Sequence, residues 1–342
     1  MEWYYILLIV FASLLVLYAL LLLAIYLWAN SLFNKRQDKQ HGIKYFAASD
    51  FDDIVATPIE FRNNKNKVLR GFIYQVKDIE LISEEVIIFF QGIGMGHLSY
   101  TKEIVKLARE TGRPVIGFDY QGCDASDGKK TQGFYKTLYD AEAAIKYVET
   151  TFPNHLIHLV GHSWGGFLSA NVLSVYPSKQ VVSVTSLSAP NSMPDLITSF
   201  LKDKAYGKWV IWLFTYLNEG KLAKITTVKS IVHNEVKTLI VHGRSDNVVL
   251  YYRSGRLYLN AAKDVNHIEP IIFESKRHLV YLTNEAEAKQ EEMNRNLATY
   301  AKDETKRQAY IKTIDWDAVT DDDETVFAAI KDVIRMSGHG KH

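Results

Sequence analysis

The chain has 342 residues, 47% of them hydrophobic and 23% charged, which is enough apolar material for a sizeable core with an appendage. Its formal net charge of +1 excludes the broad basic surface that a nucleic-acid partner requires. The single cysteine, Cys123, excludes an intrachain disulfide framework and a cysteine-based zinc cluster.

No charged residue occurs from Trp3 to Trp28. As a helix this run would reach roughly 39 Å, against a hydrocarbon core of about 30 Å. Trp3, Tyr4 and Tyr5 at one end, and Tyr26 and Trp28 at the other, suit the two membrane interfaces. A cleaved signal peptide would have a basic start, a shorter apolar core and a small-residue cleavage site. This segment opens on Glu2 and ends in "YLWANSLF". Residues 1–30 are therefore predicted to be an uncleaved transmembrane anchor. Lys35, Arg36, Lys39 and Lys44 follow it and no Lys or Arg precedes it, which predicts a cytoplasmic domain. Residues 31–50 are polar and predicted to be a linker, with the folded domain over 51–342.

The domain alternates strand-like and helix-like segments. "TPIEFR" and "VLRGFIYQV" flank "NNKNK" and predict a β-hairpin. "EVIIFFQG" is a continuous apolar run, as a buried parallel strand should be. "TKEIVKLARETG" predicts a helix ending at Gly112, "PVIGFDY" a strand, and "QGCDASDG" a loop. "GFYKTLYDAEAAIKYVETTF" predicts an amphipathic helix, and "HLIHLVG" a strand running into Ser163. A helix over "WGGFLSANVLSVYP" stops at Pro177, and "VVSVTSLSAP", "VKTLIVHG" and "IEPIIFE" are three further strands. This alternation implies a parallel sheet with helices on both faces.

Two inserts interrupt it. Residues 191–235 hold an aromatic helix-like run with Trp209, Trp212 and Tyr216. Residues 284–311 are highly charged, with Asn284 and Glu287 as a predicted helix cap and Met293, Leu297 and Tyr300 on one face.

The chemistry centres on "GHSWG", residues 161–165. Gly-x-Ser-x-Gly between a strand and a helix describes a strained turn that raises the serine hydroxyl and aims a helix N-terminus at the reaction centre. A serine needs a base, and the base needs an orienting carboxylate. After Ser163 the chain supplies Asp246 in "HGRSDNVV" and His278 in "FESKRHLVYL", each on a loop leaving the carboxyl end of a predicted strand. His267 precedes the last strand and belongs at the wrong end of the sheet. His242 is predicted to pack at its strand end, and His162 to support the turn. "TDDDET" predicts the capped first turn of the final helix, and His339 and His342 a short tail, rather than cation sites.

These motifs, together with "DYQGCDASDG" and "QGIG", resemble the α/β-hydrolase superfamily over about residues 55–336. Within it, the chain resembles the capped monoacylglycerol-lipase-like and esterase-like members. The resemblance implies a mostly parallel sheet of about eight strands, helices on both faces and a helical cap at 191–235. It makes Ser163 the nucleophile, His278 the general base and Asp246 the orienting acid. It makes the backbone N–H groups of Ile93 and Trp164 the oxyanion donors, with Gln91 standing where histidine is usual. No metal or organic cofactor enters this chemistry. The cap aromatics Trp209, Trp212 and Tyr216 and the anchor suggest a lipid-like ester as substrate. Acyl transfer, thioester or peptide cleavage on the same triad remain open, as does a non-catalytic scaffold role.

Overall fold

The computed structural model describes residues 2–39, 44–77, 84–94, 96–201 and 207–338. Its strands are β1 (Ile54–Arg62), β2 (Val68–Val76), β3 (Glu85–Phe90), β4 (Val115–Phe118), β5 (Leu156–His162), β6 (Val181–Leu187), β7 (Lys237–Gly243) and β8 (Ile268–Phe273). They form one sheet in the order β1-β2-β4-β3-β5-β6-β7-β8. The pairs β1/β2 and β2/β4 are antiparallel and all others parallel. The predicted hairpin closes through Asn63, whose side-chain oxygen accepts the N–H groups of Lys65 and Lys67 at 2.9 and 3.0 Å. Every residue of β3 is buried, because helices cover both faces of the sheet centre.

The helices are α1 (Trp3–Phe33), α2 (Thr101–Thr111), α3 (Leu138–Thr151), α4 (Trp164–Asn171), α5 (Met193–Phe200), α6 (Lys208–Glu219), α7 (Thr227–His233), α8 (Gly255–Ala261), α9 (Asn284–Thr299), α10 (Glu304–Ile311) and α11 (Glu324–Gly338). The α2 helix ends as expected at Gly112, whose φ of 66° suits a residue without a Cβ. Between β6 and β7, the 191–235 insert folds into α5, α6 and α7. The cap of α9 falls on Thr283, one residue earlier than predicted: its hydroxyl accepts the N–H of Ala286. Glu287 is thereby freed for another bond, described below. Met293 and Leu297 pack on Val319 in a small separate core, beside the partly buried Tyr310 and Trp316. His339 and His342 lie outside the described residues.

The N-terminal helix runs to Phe33, past the predicted boundary at residue 30. Its first five turns are exposed, but Leu22, Tyr26, Ala29 and Phe33 are buried. Their spacing of four, three and four residues puts them on one face, which packs on α5 and α6. The following segment is bound to the domain. Gln37 pairs with Cys123, its N–H donating to Gly122 O at 2.9 Å. Arg36 donates to the carbonyls of Gly128 and Asp124, both at 2.6 Å. The polar composition of 31–39 thus reflects backbone pairing, where the sequence suggested a free linker.

Behind the sheet, α2 carries the buried Glu103, which faces the half-buried Asp322 ahead of α11. Burial raises both carboxyls, Glu103 well above its ordinary range with Asp322 raising it further, and Asp322 to about 7 against the opposing pull of Lys106 and Lys102. Folded Asp322 therefore holds a proton that the unfolded chain, near 3.8, releases. Its contribution is complete below about pH 4 and is lost as pH rises through about 7. Melting wild type and Asp322→Asn across this window should show wild type losing thermal stability relative to the variant as pH rises. Parallel curves would refute the assignment.

Candidate active site

Four loops at the carboxyl ends of β3, β5, β7 and β8 meet above the sheet. The turn after β5 holds Ser163 at φ 55° and ψ −116°, a conformation that a non-glycine residue adopts only when its surroundings enforce it. The enforcement is visible. Ser163 N donates to Leu187 O at 2.8 Å, and a Cβ at Gly161 or Gly165 would overlap the backbone of Gly165 or Phe90. The turn points Ser163 Oγ at His278 Nε2, 3.0 Å away.

His278 Nδ1 lies 3.0 Å from Asp246 Oδ2. The other carboxylate oxygen, Oδ1, accepts the N–H groups of Val248 and Val249, each at 2.8 Å. Burial alone would raise the Asp246 carboxyl. The His278 ring, its hydrogen bond and these amides outweigh burial and hold it below the usual range. Asp246 is thus a buried anion facing the Nδ1 edge of the ring. Such a chain can lift a proton from the serine and stabilise the imidazolium that results.

Beside Ser163, the N–H groups of Ile93 and Trp164 donate to no partner among the described residues. The turn after β3 is pinned on both sides of Ile93. Gly92 N donates to Tyr100 Oη at 3.2 Å, and Gly94 N to Gln37 Oε1 at 2.6 Å. Trp164 is buried, with its indole donating to Phe134 O at 3.0 Å. Its ring packs edge-on against Phe33, at 5.1 Å between centroids. The N-terminal segment therefore touches both sides of the two free amides.

His162 supports the site as expected, while its partners and the roles of Gln37 and Glu287 were not foreseen from sequence. His162 is fully buried and held neutral, pushed down to about 3 by burial and then by the His278 charge. Its Nε2 lies 3.0 Å from His278 O and its Nδ1 2.9 Å from Tyr100 Oη. A carbonyl only accepts, so Nε2 carries the proton and Nδ1 accepts from Tyr100. The chain from Gly92 through Tyr100 and His162 to His278 O thus links the β3 turn to the histidine loop. Glu287 of α9 accepts the N–H of Leu279 at 3.0 Å, beside His278. Gln37, His162 and Glu287 act across 57, 116 and 8 residues respectively. The signals available were His162 inside the serine motif and a Glu at helix position N4, in the charged insert.

Other expectations fare differently. His242 is buried at its strand end, 2.9 Å from Val249 O, and His267 bonds Ile231 O at the far end of the sheet. Gln91 is fully buried, its side-chain amide without a partner among the described residues. The aromatics of the 191–235 insert lie largely on the outer face of α6. The α6 helix turns Val210, Ile211, Thr215 and Glu219 inward, while Trp209 is 69% and Trp212 41% exposed. Tyr216 stacks on Trp212 at 5.4 Å on this outer face. The inward face is taken by those four residues, and α6 packs against α1 and α5. A cavity of about 450 Å3 beside Asp119, Phe72 and Arg70 contains no member of the serine–histidine–aspartate chain.

A profile of the alpha/beta hydrolase fold family matches residues 85–213. The proline iminopeptidase of Lactobacillus delbrueckii subsp. lactis is 30% identical over 137 residues, 39% of this chain and 42% of that protein. That of subsp. bulgaricus is 29% identical over the same shares. The chain therefore spans less than half the length of the curated relatives it matches. Among solved structures, the Pyrococcus furiosus esterase Pf2001 aligns over 89% of this chain and 98% of its own. Its TM-score of 0.59 at 15% identity is a likeness of fold.

Proposed function

We propose that the chain is a membrane-anchored serine hydrolase of the α/β-hydrolase superfamily acting on lipid-like carboxylic esters, a reading supported by the family profile over residues 85–213 and the likeness of fold. The observation that carries the reading is the 3.0 Å and 3.0 Å chain from Ser163 Oγ through His278 to Asp246, beside two unengaged backbone amides. In the proposed reaction His278 takes the proton as Ser163 attacks the ester carbonyl. The developing oxyanion sits between the N–H groups of Ile93 and Trp164. The proton then passes to the leaving alcohol, and His278 activates water to release the acid from the acyl-enzyme.

The lipid-like substrate and the membrane location rest on the exposed apolar stretch of α1, a helix long and apolar enough to cross a membrane. A cytoplasmic domain follows from the basic residues after it. A second reading, aminopeptidase activity, is favoured by the similarity to proline iminopeptidases. Full-length protein in detergent should be assayed on p-nitrophenyl esters from acetate to palmitate and on prolyl p-nitroanilide, with fluorophosphonate labelling located by mass spectrometry. Labelling of Ser163 with turnover of long-chain esters supports the first reading, and anilide turnover alone supports the second. No labelling and no turnover would leave the scaffold role.

In this reading Glu287 is a positioning residue, holding the loop that carries His278. Glu287→Ala should lower kcat by roughly 10- to 100-fold, because a displacement of about 1 Å at the base is that costly. KM should change little, and Glu287→Gln, which keeps an acceptor oxygen, should recover most of the rate. Equal losses in both variants would remove the role.

A further inference from the structure

Where α1 leaves its apolar stretch, a cavity of about 450 Å3 opens between the helix, α6 and the loop ahead of α3. Its helix wall is Leu27, Asn30, Ser31 and Asn34, so it begins beside the exposed Trp28 and continues where the surface turns polar. In a bilayer this transition marks the headgroup layer.

The opposite wall carries Lys65, Lys130 and Lys136. Lys136 is 3.2 Å from the buried Glu219 carboxylate and is neutralised by it. Lys65 and Lys130 form no ion pair among the described residues. Two positive charges are thus left on the cavity rim, where a bilayer would bring phosphates. A second observation asks for a donor. Gln132 is 95% buried and lines the cavity. Its amide nitrogen donates to Asp140 at 2.8 Å, while its Oε1 accepts from nothing among the described residues. Leaving a buried acceptor unmatched is costly, so a group bearing O–H or N–H is favoured there.

We propose that this cavity binds a phospholipid headgroup, with Lys65 and Lys130 on the phosphate and Gln132 Oε1 accepting from a headgroup hydroxyl or ammonium. The proposal rests on the membrane-anchor reading of α1 and is independent of the ester chemistry. Phosphatidylglycerol satisfies both walls. Phosphatidylcholine has the phosphate but no donor, and inorganic phosphate has no acyl chains to hold it at the helix.

The test uses full-length protein in neutral detergent micelles, in a Ser163→Ala background so that lipid is not consumed. Its thermal midpoint is followed against dihexanoyl phosphatidylglycerol, dihexanoyl phosphatidylcholine and inorganic phosphate. Saturable stabilisation by phosphatidylglycerol is expected. Lys65→Gln/Lys130→Gln should weaken the apparent Kd by roughly 30-fold, about two surface lysines' worth of attraction. Both lysines are exposed, so the variant should fold. Equal curves for wild type and variant would overturn the site, as would phosphatidylcholine matching phosphatidylglycerol. Inorganic phosphate binding as tightly as the lipid would replace the headgroup by a free phosphate. Resistance of full-length protein in neutral phosphatidylcholine vesicles to carbonate extraction reads the anchor separately. Extraction would overturn anchor and headgroup site together, while retention with equal titration curves would overturn the site alone.

Discussion

Ser163→Ala is expected to lower kcat/KM for p-nitrophenyl esters by roughly 10⁴- to 10⁶-fold, the scale of removing a nucleophile from a cooperating triad. The fold should survive the change. The Ser163 hydroxyl caps no helix amide, and its one described side-chain contact is with His278. Losing that bond costs about 1 kcal/mol, so the melting temperature should move by only a few degrees. The backbone constraint is untouched, because Gly161, Gly165 and the Leu187 carbonyl hold the turn irrespective of the side chain. An inactive and unfolded variant would make the loss uninformative, so circular dichroism accompanies the assay. A folded variant that retained most of the activity would end the serine-hydrolase reading.

Shortening the N-terminus should give two sharply different outcomes. Removing residues 2–18 takes away surface that is entirely exposed, and the domain should keep its melting temperature and kcat in detergent. Removing residues 2–39 strips Leu22, Tyr26, Ala29, Phe33 and Gln37 from the core and the site, all 3% exposed or less. Phe33→Ala alone should cost about 3–5 kcal/mol, since its ring is lost from contact with Phe134 and Trp164. Domains are stable by only about 5–15 kcal/mol, so the longer deletion should give aggregated protein. Any folded fraction should have low kcat, because Gly94 N loses Gln37 and the turn carrying Ile93 is loosened. A soluble, fully active protein lacking residues 2–39 would show that the docking of α1 is dispensable. A cut after residue 30, where the composition changes, falls between the buried Ala29 and Phe33 and is a poor choice for producing the domain.

The legibility of the site followed the range of its interactions. The elbow at Ser163 is a five-residue device, and Asp246 and His278 each follow a strand whose apolar run marks its end. Strand ends locate loops, and chain order assigns the loops to one edge of a parallel sheet, so the three residues could be picked without coordinates. Of the supports, only His162 could, as the neighbour of the serine, and its partner could not. The bonds from Gln37 to Gly94 and from His162 to His278 O join residues far apart in sequence, and a lone Gln or His carries no trace of its partner. Glu287 was visible but assigned to capping, because a hydroxyl one residue upstream, Thr283, took the helix end.

By itself, the sequence determined the strand and helix alternation, the apolar N-terminal run, the glycines of the tight turn and the order serine, acid, histidine, all set by local periodicity and steric need. Tertiary structure decided which sides of the apolar helices are used. In α1 nearly every residue is apolar, so no periodicity singles out Leu22, Tyr26, Ala29 and Phe33 as the docked face, and only the shape of the cap selects them. The same competition for close packing turned Trp209 and Trp212 outward on α6, where burial of Val210 and Ile211 against neighbouring helices prevailed over aromatic size.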